Sequence, residues 1–588
     1  MKKLSFLAVI LALVLTSQTF ATQIIKVEDV KIGMWGYGLT TFNGYIPQRF
    51  EAKVIGIDSM YQGLVKTPVV YVKFYGGPVN FPMQHVGVAE GMSGSPIYLY
   101  TKDGVKLLGA LAYGGYFDKD PIAGVQPAEE MLKNGEKQAV SRMCHLDEES
   151  RILVMFNGPF SVSKNLKNWT ENRGLELKSR VQTSAGSGDN SEEAKMRPGA
   201  TINVFIVQGD IEMYANGTVT MVDGKTFYGF GHPFFNVGQT SLPVTLPRMM
   251  WTMANYMASY KMPSGGGKPI GTIIQDNWSG IKGTIGGKAD MISLGFKLKG
   301  AGQERSLNCE VARVPGLTND ILATLIYYTL TGACQEFNLT GKNRATVILR
   351  LKTTSGKQVD VAPYICNFSE ESNDAFASYV GNLQENVLSL LTENQVSLKS
   401  VEVEVVYESY PEDRYLELTK AYFDKSEAQS GETLILKLVL QLKNQEKKNF
   451  QTEVPFVIPY DIDTGTVTVA VGSRDNLRLP NKEKMTEKDV LTLVSSFTNA
   501  TLLVAADFSR LETVSSNSDN DSTVVTKNVK WTVIPGTEKE AKTFLVLRTV
   551  PLPVQEILNG SQILTIRVTK GKVQPVKKET GKTKKGKK

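Results

Sequence analysis

Histidine is scarce in this chain: His85, His145 and His232 are the only three in 588 residues. Cysteine is almost as sparse. Cys144, Cys309, Cys334 and Cys366 include no CxxC or CxxH spacing, and His145, beside Cys144 in a charged stretch, lacks a matching ligand set. A zinc site of the usual kind is therefore not expected, and no metal or organic cofactor is implied. In an oxidising compartment Cys309, Cys334 and Cys366 can supply one disulfide. Four cysteines allow three pairings, sequence does not choose among them, and free buried thiols are the alternative. Long apolar runs are missing after Leu4–Leu15, and that run is too short to span a bilayer comfortably. A basic face is missing too. The formal net charge is +7, but Lys570–Lys588 holds nine lysines against Glu579, and Lys2 and Lys3 add two more charges, so the body carries −3. That balance excludes a nucleic-acid surface on the folded part. Gly265-Gly266-Gly267-Lys268 lacks the rest of a P-loop and reads as a mobile loop. No short repeat is evident.

What is present is a long, glycine-rich, strand-rich chain, with 52 glycines and 41% apolar residues. Its length exceeds one compact core and suggests three or four domains. Residues 1–21 have the order of a signal peptide: Lys2-Lys3, an apolar run, then Ser17-Gln18-Thr19-Phe20-Ala21, with cleavage expected after Ala21. No lipobox cysteine follows, which suggests a bacterial exported protein, in the periplasm or on the cell surface, with no transmembrane span after signal removal. The expected organisation is 22–163 as one β-barrel half, 164–197 as a polar linker, 198–310 as a second β-barrel half, and 311–400 as a mixed, helical connector. A β-sandwich-like module follows at 401–568, and 569–588 is a lysine-rich disordered tail. The tail is suited to an anionic surface such as a membrane or cell-wall polymer, or simply to solvent.

Coarse periodicity supports this division. Phe50–Ile57, Val69–Phe74, Ile97–Tyr100 and Leu107–Tyr113 read as strands, with turns at Asn43-Gly44, Gly76-Gly77 and Asp103-Gly104 and a short helix at Pro127–Leu132. Ile202–Val207, Gly217–Val222 and Thr226–Phe230 form a second strand block. Met249–Met262, rich in Met and aromatics, reads as a helix packing into a core, or as an apolar wall beside a substrate. Asn319–Leu330 and Asp374–Thr392 read as helices, and everything after about Val401 as all-β, with Leu434–Leu442 a more buried strand.

The chemistry concentrates at Gly91-Met92-Ser93-Gly94-Ser95-Pro96-Ile97. A small-residue turn carries a serine and runs directly into a strand, so backbone N–H groups and a hydroxyl share one loop. Ser93 is the candidate nucleophile, and the N–H groups of Gly91 and Ser93 the candidate oxyanion hole. An α/β-hydrolase elbow is excluded, because Ser95 stands where glycine is needed and a strand follows instead of a helix. His232 is the candidate base. It ends a second strand after the Asp223-Gly224 hairpin turn, in Thr226-Phe227-Tyr228-Gly229-Phe230-Gly231-His232-Pro233. His85, eight residues before Ser93, is the alternative base.

These residues resemble the SpoIVB-type serine peptidases of the chymotrypsin-like clan. The resemblance rests on Gly91–Ile97, Leu108-Gly109-Ala110, Asp120-Pro121-Ile122-Ala123-Gly124-Val125, Glu130-Met131-Leu132, Gly229-Phe230-Gly231-His232 and the opening Lys31-Ile32-Gly33-Met34-Trp35-Gly36-Tyr37-Gly38. It covers roughly residues 25–300. It implies a mainly β, chymotrypsin-like double β-barrel and a serine endopeptidase that cuts a few protein targets, sometimes itself. Two departures stand out. Ser93 precedes His232, so the barrel halves would be in swapped, circularly permuted order, which a spatial triad permits. No Asp or Glu lies between Met60 and Val88, where the family places its acid, so the acid must come from elsewhere: Asp276 first, then Asp210, then Asp120. The expected partner is a protein or peptide substrate. The rival expectation is a catalytically inactive envelope scaffold or protein-binding protein on the same fold.

Overall fold

The computed structural model describes residues 23–570, apart from 63–64, 116, 134–151, 163, 172–174, 180–192, 371, 373, 411–413, 444–447, 460–463, 474–484, 508–544, 551 and 555. The expected signal peptide, Cys144, His145, the middle of the expected polar linker and nearly all of the expected lysine tail lie outside the described residues. The chain divides into two compact units, Met1–Phe296 with Ser306–Glu336, and Lys297–Arg305 with Phe337–Lys588.

The first unit is built on two closed six-stranded antiparallel barrels. Barrel one holds β1 (Trp35–Thr40), β2 (Gln48–Gln62), β3 (Val65–Tyr75), β4 (Pro96–Thr101), β5 (Gly104–Gly114) and β6 (Ile122–Pro127), closed in the order β1-β2-β3-β6-β5-β4. Alternation explains it. Phe50, Ala52 and Val54 of β2 point inward with Val70, Val72 and Phe74 of β3, and meet Ile97, Leu99, Leu108, Ala123 and Val125 in one core. The short helix α1 (Met83–Val86) and helix α2 (Ala128–Lys133) flank the barrel.

Two elements, β7 (Ile152–Asn157) and β8 (Leu175–Ser179), joined through α3 (Lys164–Glu171), then extend the second barrel's sheet, with Met155, Phe156 and Asn157 of β7 paired to Tyr214, Met213 and Glu212. The expected linker 164–197 is therefore corrected in part: Lys164–Glu171 is a helix and Leu175–Ser179 a strand. Polar composition concealed a parallel pair that carries the buried Leu177.

Barrel two holds β9 (Thr201–Gly209), β10 (Glu212–Asp223), β11 (Thr226–Gly229), β12 (Gly238–Thr245), β15 (Gly271–Asn277) and β16 (Gly280–Ile285), in the order β9-β12-β15-β16-β11-β10 with β9–β10 pairing to close it. Asp223 pairs with Thr226, so the two-residue turn is Gly224-Lys225, one residue beyond the expected Asp223-Gly224, and Gly224 takes φ +57°. Between β12 and β15 lies the hairpin β13 (Met249–Met253) and β14 (Tyr260–Pro263). This corrects the expected helix at Met249–Met262. Backbone pairing of Met249 with Gly44 and of Tyr260 with Glu90 overrides the helical pattern, and Met250, Met253, Tyr256 and Met257 face solvent, while the half-exposed Trp251 packs edge-on against Phe81. Hairpin β17 (Met291–Gly300) and β18 (Gln303–Ala312) follows, and β18 pairs with β9. Helix α4 (Thr318–Glu336), expected from its apolar content, is buried along most of its length.

The second unit holds β19 (Lys342–Thr353), β20 (Gln358–Ser369), helices α5 (Asp374–Leu383) and α6 (Ser389–Glu393) joined by a π-helical turn, and β21 (Leu398–Ser409). Further on, β22 (Tyr415–Phe423), β24 (Thr433–Lys443), β25 (Asn449–Val457) and β29 (Leu558–Asn559) form one sheet. β23 (Glu427–Gln429), β26 (Gly465–Gly472), β27 (Leu502–Asp507), β28 (Leu545–Val550) and β30 (Ser561–Thr569) form another. Leu434, Leu436, Leu438 and Leu440 of the first share a core with Val467, Val469, Val471 and Ile566 of the second. β24 is thus buried on one face only, because Lys437 and Gln441 sit on the opposite one. The expectation of an all-β end is corrected by helix α7 (Glu487–Ser495), whose start is a capping box between Thr486 and Asp489. Of the two alternatives open for the cysteines, the structure has the second: Cys309, Cys334 and Cys366 are in no disulfide. Burial of Cys309 and Cys334 pushes each thiol up to about 12.

Candidate active site

Ser93 lies in the tight turn between α1 and β4 and is partly exposed. Around it, the N–H groups of Met92, Gly94 and Ser95 donate to the carbonyls of Ala89 (2.9 Å), Leu111 (2.7 Å) and Met92 (2.8 Å). Those of Gly91 and Ser93 enter no hydrogen bond among the described residues. Their directions are set by the preceding carbonyls, since a trans peptide points its C=O and N–H oppositely. The Glu90 carbonyl accepts from the Lys261 N–H at 3.0 Å, and the Met92 carbonyl from Ser95. Both unused donors therefore point away from those partners. Such free, fixed donors are what a developing oxyanion requires.

His232 sits beyond the end of β11. Phe230 (φ +65°) and Gly231 (φ +74°) both take left-handed conformations and turn the chain sharply out of the strand. A buried phenylalanine in that region stores strain, and its surroundings hold it there: its ring packs edge-on to Phe234 at 6.1 Å and lies 5.9 Å from the imidazole. The Nδ1 atom of His232 is 2.8 Å from the Pro233 carbonyl oxygen. A carbonyl only accepts, so Nδ1 carries the proton and Nε2 keeps a free lone pair. Burial holds the imidazole below its usual pKa, so it stays neutral into mildly acidic solution.

The fold brings these two loops together. The Thr218 N–H donates to the Ser93 carbonyl (2.8 Å), the Thr218 hydroxyl to Gly91 (2.9 Å), and the Thr220 hydroxyl to Gly94 (2.8 Å). The serine turn is thus stitched to β10, and β10 pairs with β11. Contact is so close that a Cβ at Gly94 (φ +93°) would overlap the Thr218 carbonyl and lie 2.5 Å from the Phe230 nitrogen. A Cβ at Gly231 would lie 2.6 Å from Cβ of Ala110 on barrel one. No hydrogen bond joins Ser93 Oγ and His232 in this structure.

None of the three candidate acids reaches the imidazole. Asp276, fully buried on β15, accepts from the N–H groups of Phe234 (2.7 Å) and Phe235 (2.6 Å) and braces the loop that follows His232. Burial raises its carboxyl to about 6 against the pull of those donors. Asp210 accepts from the Asn308 N–H at a turn, and Asp120 pairs with Lys73 on the surface. His85 is exposed on α1, lining a shallow depression with Asp118, Asp120 and the tip of the β13–β14 hairpin, whose lining does not include Ser93. Sequence reading missed the Pro233 carbonyl, which stands where an acid was sought, and missed Thr218. A backbone carbonyl has no residue-type signal, and Thr218 is one of many strand threonines.

No family model, curated protein or solved structure matches this chain.

Proposed function

We propose that the chain is an exported serine endopeptidase. Its two barrels serve as the halves of a chymotrypsin-like fold in swapped order, as its SpoIVB-type motifs suggest. The observation that carries the reading is the pair of unused N–H groups at Gly91 and Ser93, packed against the loop of a histidine whose Nε2 is free. Ser93 Oγ attacks the scissile carbonyl carbon and passes its proton to His232 Nε2. The oxyanion takes up the N–H groups of Gly91 and Ser93. His232 then protonates the leaving amine, and water hydrolyses the ester by the same route in reverse. The Pro233 carbonyl keeps the imidazole in its working tautomer, and Asp276 positions the loop. The solvent-facing apolar side chains of the β13–β14 hairpin suit an extended protein substrate, and the two-sheet, β-sandwich-like C-terminal module suits a role in recruiting it.

The second reading is a non-catalytic binding protein on the same scaffold, favoured by the lack of a carboxylate on His232 among the described residues. Labelling of the mature protein with a fluorophosphonate separates the two. Wild type is expected to label at Ser93, Ser93→Ala not at all, His232→Ala slower by about a thousandfold or more, and His85→Ala at the wild-type rate. Absence of wild-type labelling and of self-cleavage sinks the enzyme reading. Loss of labelling in His85→Ala alone reassigns the base.

A further inference from the structure

Lys261 is an inward-facing lysine on β14 and is 1% exposed. Its ammonium nitrogen meets three hydroxyl oxygens, of Thr40 on β1 (2.7 Å), Thr201 on β9 (3.1 Å) and Thr218 on β10 (3.0 Å). Three acceptors match the three N–H bonds of an ammonium. One of them, Thr218, spends its own proton on the Gly91 carbonyl, so it accepts from Lys261 whether the amine is charged or neutral. The lysine backbone acts on the same place: its N–H holds the Glu90 carbonyl at 3.0 Å, while the Glu90 N–H donates to Ser259 at 2.8 Å. Side chain and main chain of one residue thus fix both peptide planes that flank Gly91.

A buried lysine is costly to keep, since burial disfavours its charged form. A methionine would fill similar space. The place this lysine occupies suggests what its cost supports. It ties strands of both barrels to the turn that carries Ser93. It does not touch Ser93 or His232, which argues against service as a base.

We propose that Lys261 is a positioning residue that clamps the 89–93 turn and holds the Gly91 N–H in its oxyanion-binding direction before substrate arrives. This rests on the peptidase reading for its catalytic consequence, but the clamp itself is measurable without it. Two variants serve, Lys261→Met and Thr218→Val. The second keeps the lysine and removes the hydroxyl through which its side chain reaches Gly91, so a failure of Lys261→Met to fold does not end the test. Two readouts are taken on the mature protein: fluorophosphonate labelling at several reagent concentrations, and amide hydrogen exchange.

The expected result is a 10- to 100-fold fall in the maximal labelling rate, with the reagent concentration for half-maximal rate unchanged. Exchange should quicken in peptides covering 89–95 and stay unchanged in those covering β2 and β3. An unchanged labelling rate in both variants overturns the catalytic role. Exchange that rises evenly through both barrels, or not at all, overturns the clamp and leaves Lys261 a structural residue. If wild type takes no label, the peptidase reading falls on that result, and exchange at 89–95 alone decides the clamp.

Discussion

Gly94 shows how closely single residues decide this site. Its φ of +93° and the missing Cβ let the serine turn press against Thr218 and Phe230. Gly94→Ala should therefore destabilise the protein by at least about 2 kcal/mol, seen as a lower thermal midpoint, and should abolish labelling of Ser93. A labelled, fully stable alanine variant would show that the two loops do not abut. At His232 the same scale predicts a pH profile. Burial depresses the imidazole pKa, so the rate should rise with pH to a plateau whose acidic midpoint lies below the ordinary 6.5. A midpoint at or above 6.5 contradicts a desolvated imidazole.

Among the elements, the loop after β11 depends on β15. Asp276 gathers the N–H groups of Phe234 and Phe235, and Asn offers a second donor where only acceptors fit. Asp276→Asn should cost about 1–3 kcal/mol and slow labelling through a displaced loop. The acidic midpoint should stay where it is in wild type, because the carboxylate does not touch the imidazole. A large downward shift of that midpoint would restore Asp276 to the role of triad acid. The β13–β14 hairpin teaches the complementary lesson. Its Met- and aromatic-rich sequence matches a helical stripe, yet the strand edges at Gly44 and Glu90 capture it. Distant backbone partners are invisible to local periodicity, and so was the inward position of Lys261, which exists only because β14 is a strand.

Over the whole molecule, cross-linking contributes nothing at Cys309, Cys334 and Cys366. Alkylation of the unfolded protein without reductant should modify all three, and reductant should leave the thermal midpoint unchanged. A cysteine of this set that resists alkylation until reduced would contradict the structure. Much of the architecture was legible from sequence. Period-two runs such as Phe50–Ile57 and Val401–Val405, the turn at Gly224 and the helices after Asn319 and Asp374 are local patterns, and local patterns suffice because burial alternates along a strand whatever its partner. The serine turn and the strand-end histidine were legible for the same reason: short-range chemistry requires particular residue types. Which strands close into barrels, which carbonyl faces His232, and where Asp276 and Lys261 are buried follow from contacts between residues far apart in the chain. Sequence alone determined most of the strands and turns and the candidate reactive groups. Tertiary structure decided their neighbours, because hydrogen bonds to the backbone and desolvation depend on what packs nearby and leave no mark in the identity of the residues themselves.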